Sequence, residues 1–372
     1  MAARASALEG LGLSPDASFW AGKRVLLTGH TGFKGAWLAL WLQRLGAEVI
    51  GIALPPATQP SLFGLLSEPA WMQSHFCDVR DAQALSHLVK VARPDVVFHL
   101  AAQALVRTSY QHPLDTFATN VMGTAHLLDA VRDVDTVRVV VAITTDKVYH
   151  NREWCYPYRE DDALGGHDPY SASKAAAELV IASYRASFLE ASGIGLASAR
   201  AGNVIGGGDW SADRLIPDAV RAWQAQRPLL IRNPNATRPW QHVLDPLAGY
   251  LRLAEVLWTQ PKLAGAYNFG PRSHEVASVR DVIELASIPY DKSVISYEND
   301  CSQGPHEAHW LALETAKASA CLGWQPRWTL AETVSRTMAW YQTQQAGEAA
   351  RSLCEADIDA FADVLLNHHL VV

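Results

Sequence analysis

Tyr170 and Lys174 stand four residues apart in Pro169-Tyr170-Ser171-Ala172-Ser173-Lys174. On a helix that spacing puts both side chains on one face, within reach of one site. A tyrosine ordinarily ionises near pH 10, and an adjacent ammonium together with the positive ring of a bound cofactor favours its phenolate. Such a phenol can take a hydroxyl proton while hydride leaves the same carbon. Taken alone, Tyr-x-x-x-Lys is a common exposed helical pair, so its surroundings decide.

Two neighbouring features supply that context. The first is the turn Thr28-Gly29-His30-Thr31-Gly32-Phe33-Lys34-Gly35, with glycines spaced three apart after an apolar run. It allows a tight bend, close backbone approach to a pyrophosphate, and a helix whose first amides face the anion. Gly29, Thr31, Gly32, Phe33, Lys34 and Gly35 are therefore candidate dinucleotide contacts. The second is an apolar run ending in Thr144-Thr145, at the edge where doubly wound sheets place ligands. Asp78 and Val79 suit an adenine edge. Leu100, Ala101 and Ala102 end another apolar run in small residues that let a ligand approach. Ile52-Ala53-Leu54-Pro55-Pro56 lacks the acid that ordinarily meets the ribose 2′-hydroxyl, and also lacks arginine. That segment does not separate NAD from NADP.

The elements that must position these residues alternate along the chain. Arg24 to Thr28 reads as a strand, Trp37 to Leu45 as a helix closed by Gly46, and Glu48 to Leu54 as a strand. Val96 to Leu100, the helix Val121 to Val131 and the strand Val137 to Thr144 continue the pattern. Such alternation predicts an α/β fold, a doubly wound parallel Rossmann-like sheet with helices on both faces. Beyond Ala201, glycine, proline and tryptophan become frequent. The helix Ile216 to Gln226 and the strand Gly265 to Gly270 belong to a second, smaller substrate-binding lobe. The expected division is a flexible lead-in over 1–18, a cofactor domain over 19–200, and a lobe over 201–350 from which the chain returns to the first domain. A helical tail over 351–372, centred on Ala356 to Leu366, ends it.

The chain has 372 residues, of which 49% are hydrophobic, and a formal net charge of -7. That charge argues against nucleic acid, whose backbone calls for clustered Lys and Arg. No apolar run approaches a membrane span, and residues 1–18 lack a signal core, so a cytoplasmic protein is expected. Cys77, Cys155, Cys301, Cys321 and Cys354 are scattered, with no CxxC pair. They are read as structural residues in a reducing compartment, with no metal site.

Taken together, the glycine turn, the strand-end threonines and Tyr-x-x-x-Lys resemble the extended short-chain dehydrogenase/reductase family from about Phe19 to Trp328. The resemblance implies that Thr145 holds a substrate hydroxyl, Tyr170 acts as base and Lys174 binds a nicotinamide ribose. Asn120 stands where members use a residue in a proton relay, and a satisfied core asparagine accounts for it equally well. Thr145-Asp146-Lys147 is similar to the family's sugar-nucleotide 4,6-dehydratases, which follow the threonine with an acid and a second acid/base residue. Oxidation at C4 acidifies the C5 proton. One group must then remove that proton while another protonates the departing C6 hydroxyl. Asp146 resembles the acid, and Lys147 stands where many dehydratases have glutamate. The Asp-Lys version resembles members acting on cytidine-linked glucose, as do Asn151-Arg152-Glu153-Trp154 and Arg238-Pro239-Trp240-Gln241-His242-Val243. In such a reaction the cofactor is recycled in place, which selects NAD.

The implied substrate is a sugar nucleotide, whose diphosphate suits guanidinium groups. Arg214, Arg232 and Arg238 are candidates for it, with Asn203. Tyr267, with Trp240 and Asn268, is a candidate wall for base or sugar. His306-Glu307 matches the same group of relatives without an assigned role. A homodimer or homotetramer is a family expectation. The alternatives are another dehydratase or epimerase using a different nucleotide, and a non-catalytic cofactor-sensing protein.

Overall fold

The structure, a computed structural model, describes residues 14–66, 72–289, 297–299 and 310–368, with side chains described except in 297–299 and 364–368. Cys301 and His306-Glu307 lie outside the described residues, as do residues 1–13 of the expected lead-in.

Seven strands form one wholly parallel sheet: β1 Arg24–Thr28, β2 Glu48–Ala53, β3 Gln73–Phe76, β4 Val96–His99, β5 Val139–Ile143, β6 Gly195–Ala201 and β7 Ala266–Phe269. Their order is β7-β6-β5-β4-β1-β2-β3. The order reverses between β1 and β4, and that reversal opens a crevice at the strands' carboxyl ends.

The central strands β1, β4 and β5 are largely apolar because both faces are covered, whereas the edge strand β3, Gln73–Phe76, is exposed. Val25, Leu27, Val96, Phe98, Val139 and Val141 face one core with helices α1 (Phe33–Arg44) and, later in the chain, Leu244–Thr259. Leu26, Ile50, Ile52, Val97 and Val140 face the other. That side is covered by α2 (Ala82–Ala92), α3 (Gly123–Arg132) and α4 (Pro169–Tyr184). Between α4 and the helix Leu244–Thr259 (α6) lies α5, Leu215–Gln224. Beyond Ala201, short strand pairs such as Thr237–Arg238 with Ala277–Ser278 stand apart from the main sheet, and the chain rejoins the sheet at β7.

Three local departures from the sequence reading have physical causes. The helix expected from Trp37 starts at Phe33, because Gly32 serves as its N-cap and the glycine turn runs straight into it. The helix expected from Val121 opens with a π-helical turn, Ala118–Met122, placing Asn120 at a widened point of the ladder. Residues Ala17–Trp20 form a short helix where a flexible lead-in was expected. It is pinned because Trp20 is buried and donates from Nε1 to Glu255 at 2.8 Å, the carboxylate that also accepts the Asp16 amide.

Candidate active site

Helix α4 begins at a well-defined point. The Asp168 carboxylate caps it by accepting the Ser171 amide at 3.0 Å, and Pro169 occupies the first turn, where no backbone donor is needed. Tyr170 therefore lies in the first turn and Lys174 one turn on, both buried. The Tyr170 amide is held by Ser109 Oγ at 3.1 Å, which fixes the helix entry from a second side.

Lys174 Nζ donates to the Ile143 carbonyl at 3.1 Å, tying α4 to the end of β5. Burial brings its pKa down to about 8, against the opposing charge of Glu178. Burial also pushes the Tyr170 phenol up to about 12, outweighing the Thr145 side chain and the Arg214 charge. Desolvation dominates the phenol, and Arg214, expected on a diphosphate, is the leading cation acting on it.

After β5 the chain turns through a short 3-10 helix, Asp146–Val148, capped by Thr145. Thr145 Oγ1 donates to Asp146 Oδ1 at 3.0 Å, while Asp146 Oδ2 is buried with no partner. Burial raises the Asp146 pKa despite the lowering influence of Lys147, Thr145 and Arg238. A raised pKa favours the neutral carboxyl, the form able to donate a proton. Arg238 has its Nη1 on the Thr237 carbonyl at 2.9 Å.

Thr144 serves another purpose. It donates to Glu178 Oε1 at 2.6 Å, and Glu178 also accepts from Ser198 at 2.7 Å and from Arg200 at 2.9 and 3.0 Å. Arg200 donates further to Tyr149 Oη, which donates to Asn268 Oδ1 at 2.6 Å. This buried network locks β5, α4, β6 and β7 together behind the Thr145 turn. Sequence reasoning missed Glu178 and Arg200, although Glu178 shares the helical spacing of Tyr170 and Lys174.

Asn120 Oδ1 accepts the Gln103 amide at 2.9 Å, and its Nδ2 donates to Gln103 O at 3.0 Å and Ser173 Oγ at 2.8 Å. It joins the exit of β4 to α4 with its side chain fully hydrogen-bonded, an arrangement that both of its readings accommodate.

The glycine turn and the exit of β4 meet closely. Gly29 has φ +77, and a Cβ there would lie 2.7 Å from the Ala101 amide. No side chain caps α1 at Gly32, an exposed residue whose own Cβ would meet nothing nearer than Gly29 O at 3.4 Å. Open amides beside an unobstructed glycine fit a dinucleotide's pyrophosphate. Thr31 Oγ1 donates to Leu54 O at 2.8 Å, linking the turn to β2. The Asp78 carboxylate is engaged by Arg80 at 2.7 Å, and Val79 packs its side chain toward Gly123. Leu100 and Ala102 flank Ala101 at half-buried positions.

The substrate candidates divide. Arg232 lies 3.9 Å and Arg107 3.5 Å from Asp213, while Arg214 stands 3.7 Å from Asp209. Asn203 accepts the Gln241 amide at 2.9 Å through its backbone, leaving the side chain at a half-buried position. Tyr267 is corrected: it is 1% exposed, on the edge strand β7, with its hydroxyl on Leu263 O at 2.7 Å. It is core packing, as is Asn268, whose amide serves Tyr158 O and Glu314 O. Trp240 is likewise buried, with Nε1 on Ala277 O. The abundance of aromatic residues in this half of the chain concealed the distinction.

The family described as GDP-mannose 4,6 dehydratase matches residues 26–337. Among curated proteins, the chain is 49% identical over 345 residues to a CDP-glucose 4,6-dehydratase of Salmonella typhimurium, covering 90% of this chain and 94% of that one. Among solved structures it is similar to TunA, an NAD-dependent NDP-hexosamine 5,6-dehydratase of tunicamycin biosynthesis. That match has 25% identity and a TM-score of 0.71, over 86% of this chain and 98% of the other. It also shares its fold with a dTDP-glucose 4,6-dehydratase of Bacillus anthracis in complex with NAD (21% identity, TM-score 0.71, covering 87% and 97%).

Proposed function

The chain belongs to the GDP-mannose 4,6 dehydratase family, and on that premise we propose that its substrate is CDP-glucose and that Tyr170, Lys174, Asp146 and Lys147 carry the reaction. The enzyme is an NAD-dependent sugar-nucleotide 4,6-dehydratase of Rossmann-like fold. The observation that carries the proposed roles is the buried Asp146 carboxyl with one oxygen bonded to Thr145 and the other unpartnered.

The amides opening α1, with Gly29, Thr31, Gly32, Phe33, Lys34 and Gly35, would hold the cofactor's pyrophosphate end. Asp78, Val79, Leu100, Ala101 and Ala102 would line its adenosine side. When bound, NAD supplies an acceptor that takes hydride from C4 and later gives it back at C6. Tyr170 takes the C4 hydroxyl proton, and Thr145 orients that hydroxyl. Lys174, fixed on Ile143 O, holds the nicotinamide ribose and lends positive charge to the phenol. Lys147 removes the C5 proton once C4 is a ketone. Asp146 gives its proton to the C6 oxygen, which leaves as water. Arg214, Arg232 and Arg238, with Asn203, grip the diphosphate. As hydride returns to C6, a proton from an exchangeable group returns to C5; the sugar is oxidised at C4 and reduced at C6, so the net change is loss of one water.

A homodimer or homotetramer and a cytoplasmic location are part of the same proposal. Exposed Leu114, Met122, Leu179 and Phe188 on neighbouring helical segments support the first. No described helix is long and apolar enough to cross a membrane. The substrate assignment is tested by comparing turnover of CDP-glucose, dTDP-glucose, UDP-glucose and GDP-mannose. CDP-glucose should give the highest kcat/KM, and a tenfold preference for any other would overturn the assignment.

A further inference from the structure

Asp213 lies on the loop from the short strand Val204–Ile205 to helix α5, and its carboxylate stands between two guanidinium groups. Its Oδ1 is 3.5 Å from Arg107 Nη1 and 3.9 Å from Arg232 Nη1. The two arginines come from separate parts of the fold. Arg107 sits on the short helix Val106–Gln111 after β4, and on the same helix Ser109 holds the Tyr170 amide. Arg232 directly follows Leu229–Ile231, a strand outside the main sheet. One carboxylate oxygen therefore ties the helix after β4 to the segments beyond Ala201.

The tie is loose. All three side chains are part-exposed, and neither separation is that of a close hydrogen bond. Ion pairs of this kind contribute little to stability and exchange readily. The buried Glu178–Arg200 pair, hydrogen-bonded at 2.9 and 3.0 Å, is the opposite case. Asp213 is also held at φ +61, a left-handed backbone that is uncommon outside glycine and concentrates at ligand clamps. The Nε of Arg107 is buried with no hydrogen-bond partner, so its guanidinium keeps a donor that Asp213 does not use.

We propose that Asp213 is a resident counter-ion of the substrate site, holding Arg107 and Arg232 together until the diphosphate of a sugar nucleotide replaces its carboxylate between them. The inference rests on the reading above that Arg232 meets the diphosphate. A diphosphate joining nucleoside to sugar carries two negative charges and offers several acceptor oxygens, so it can take donors from both guanidiniums at once. Arg107 is then a further substrate-binding residue, supplied by the helix that also fixes Tyr170. Without substrate, Asp213 offsets the mutual repulsion of the two cations and keeps them in place. Once the diphosphate is seated, the same carboxylate is a like charge beside it. Asp213 thus lowers affinity for the diphosphate while keeping its two ligands paired.

The test uses the holoenzyme and CDP, with cytidine as the ligand lacking phosphate. Calorimetric titration compares wild type, Asp213→Asn, Asp213→Gly, Arg107→Gln and Arg232→Gln. Asparagine and glycine both tolerate the left-handed backbone, so either variant removes the charge without adding strain. Each should tighten CDP binding by about fivefold at low salt and leave cytidine unchanged, and the gain should shrink at high salt. Arg107→Gln should weaken CDP by about tenfold, again without effect on cytidine. Unchanged or weaker CDP binding in both Asp213 variants would overturn the proposal and make Asp213 an organiser of the arginines. Undiminished CDP binding in Arg107→Gln would overturn it as well. Wild-type affinity for CDP in Arg232→Gln would instead strike the diphosphate reading on which the proposal rests. If wild type binds UDP, dTDP or GDP in place of CDP, the cytidine assignment fails and the same comparison is read with that nucleotide.

Discussion

Thr145 Oγ1 and Asp146 Oδ1 are joined by a 3.0 Å hydrogen bond that leaves the second carboxyl oxygen of Asp146 buried and unpartnered. The bond orients the carboxyl from one side, and burial raises its pKa, favouring the protonated form. Asp146→Asn preserves shape and hydrogen bonding but has no proton to give. Formation of 4-keto product, read by its absorbance in alkali, should fall at least about a hundredfold. Normal product formation would remove Asp146 from the elimination step.

Because the Asp146 pKa is raised, the protonated form it needs persists to higher pH and is lost as pH climbs through that value. Tyr170 has the opposite requirement, since it must lose its proton to act and burial holds that proton on. The pH profile of kcat/KM should therefore be bell-shaped. Replacing Asp146 should abolish its alkaline limb in any residual activity, and an unaltered limb would assign that limb elsewhere.

Tyr170→Phe keeps the ring's packing and removes its ionisable oxygen. Substrate binding should stay within about threefold of wild type while kcat falls by at least about a hundredfold. Undiminished turnover would make the Tyr170-Lys174 pair structural.

The Glu178-Arg200 pair is buried and fully hydrogen-bonded, so loss of one partner strands the other's charge. Glu178→Gln should destabilise the fold by about 3–5 kcal/mol in urea denaturation. Although burial opposes it, Arg200 holds the Glu178 pKa below the ordinary value. That contribution is present above the ordinary glutamate range and is lost as pH falls through the folded-state value. The variant should accordingly show a shallower loss of stability on acidification.

The sheet and the reacting pair were legible because their signals are local. Val25 to Leu27 and Val139 to Ile143 are continuous apolar runs, as strands covered on both faces require. Tyr170 and Lys174 share a helical face whatever the rest of the chain does. Relationships across long separations were not legible. Nothing in the spacing of Glu178 and Arg200 announces that they meet between α4 and β6. Tyr267 looked like a ligand wall because an aromatic residue late in the chain gives no sign of which side of an edge strand it occupies.

The proposed reaction removes hydride from C4 and returns it to C6 of the same sugar within one site. CDP-glucose carrying deuterium at C4, incubated with enzyme in ordinary water, should give a 4-keto-6-deoxy product with that deuterium at C6. In deuterated water, unlabelled substrate should take up solvent deuterium at C5. Mass spectrometry and proton NMR of the product locate each label. Loss of the C4 deuterium to solvent or to added free NAD would contradict the claim.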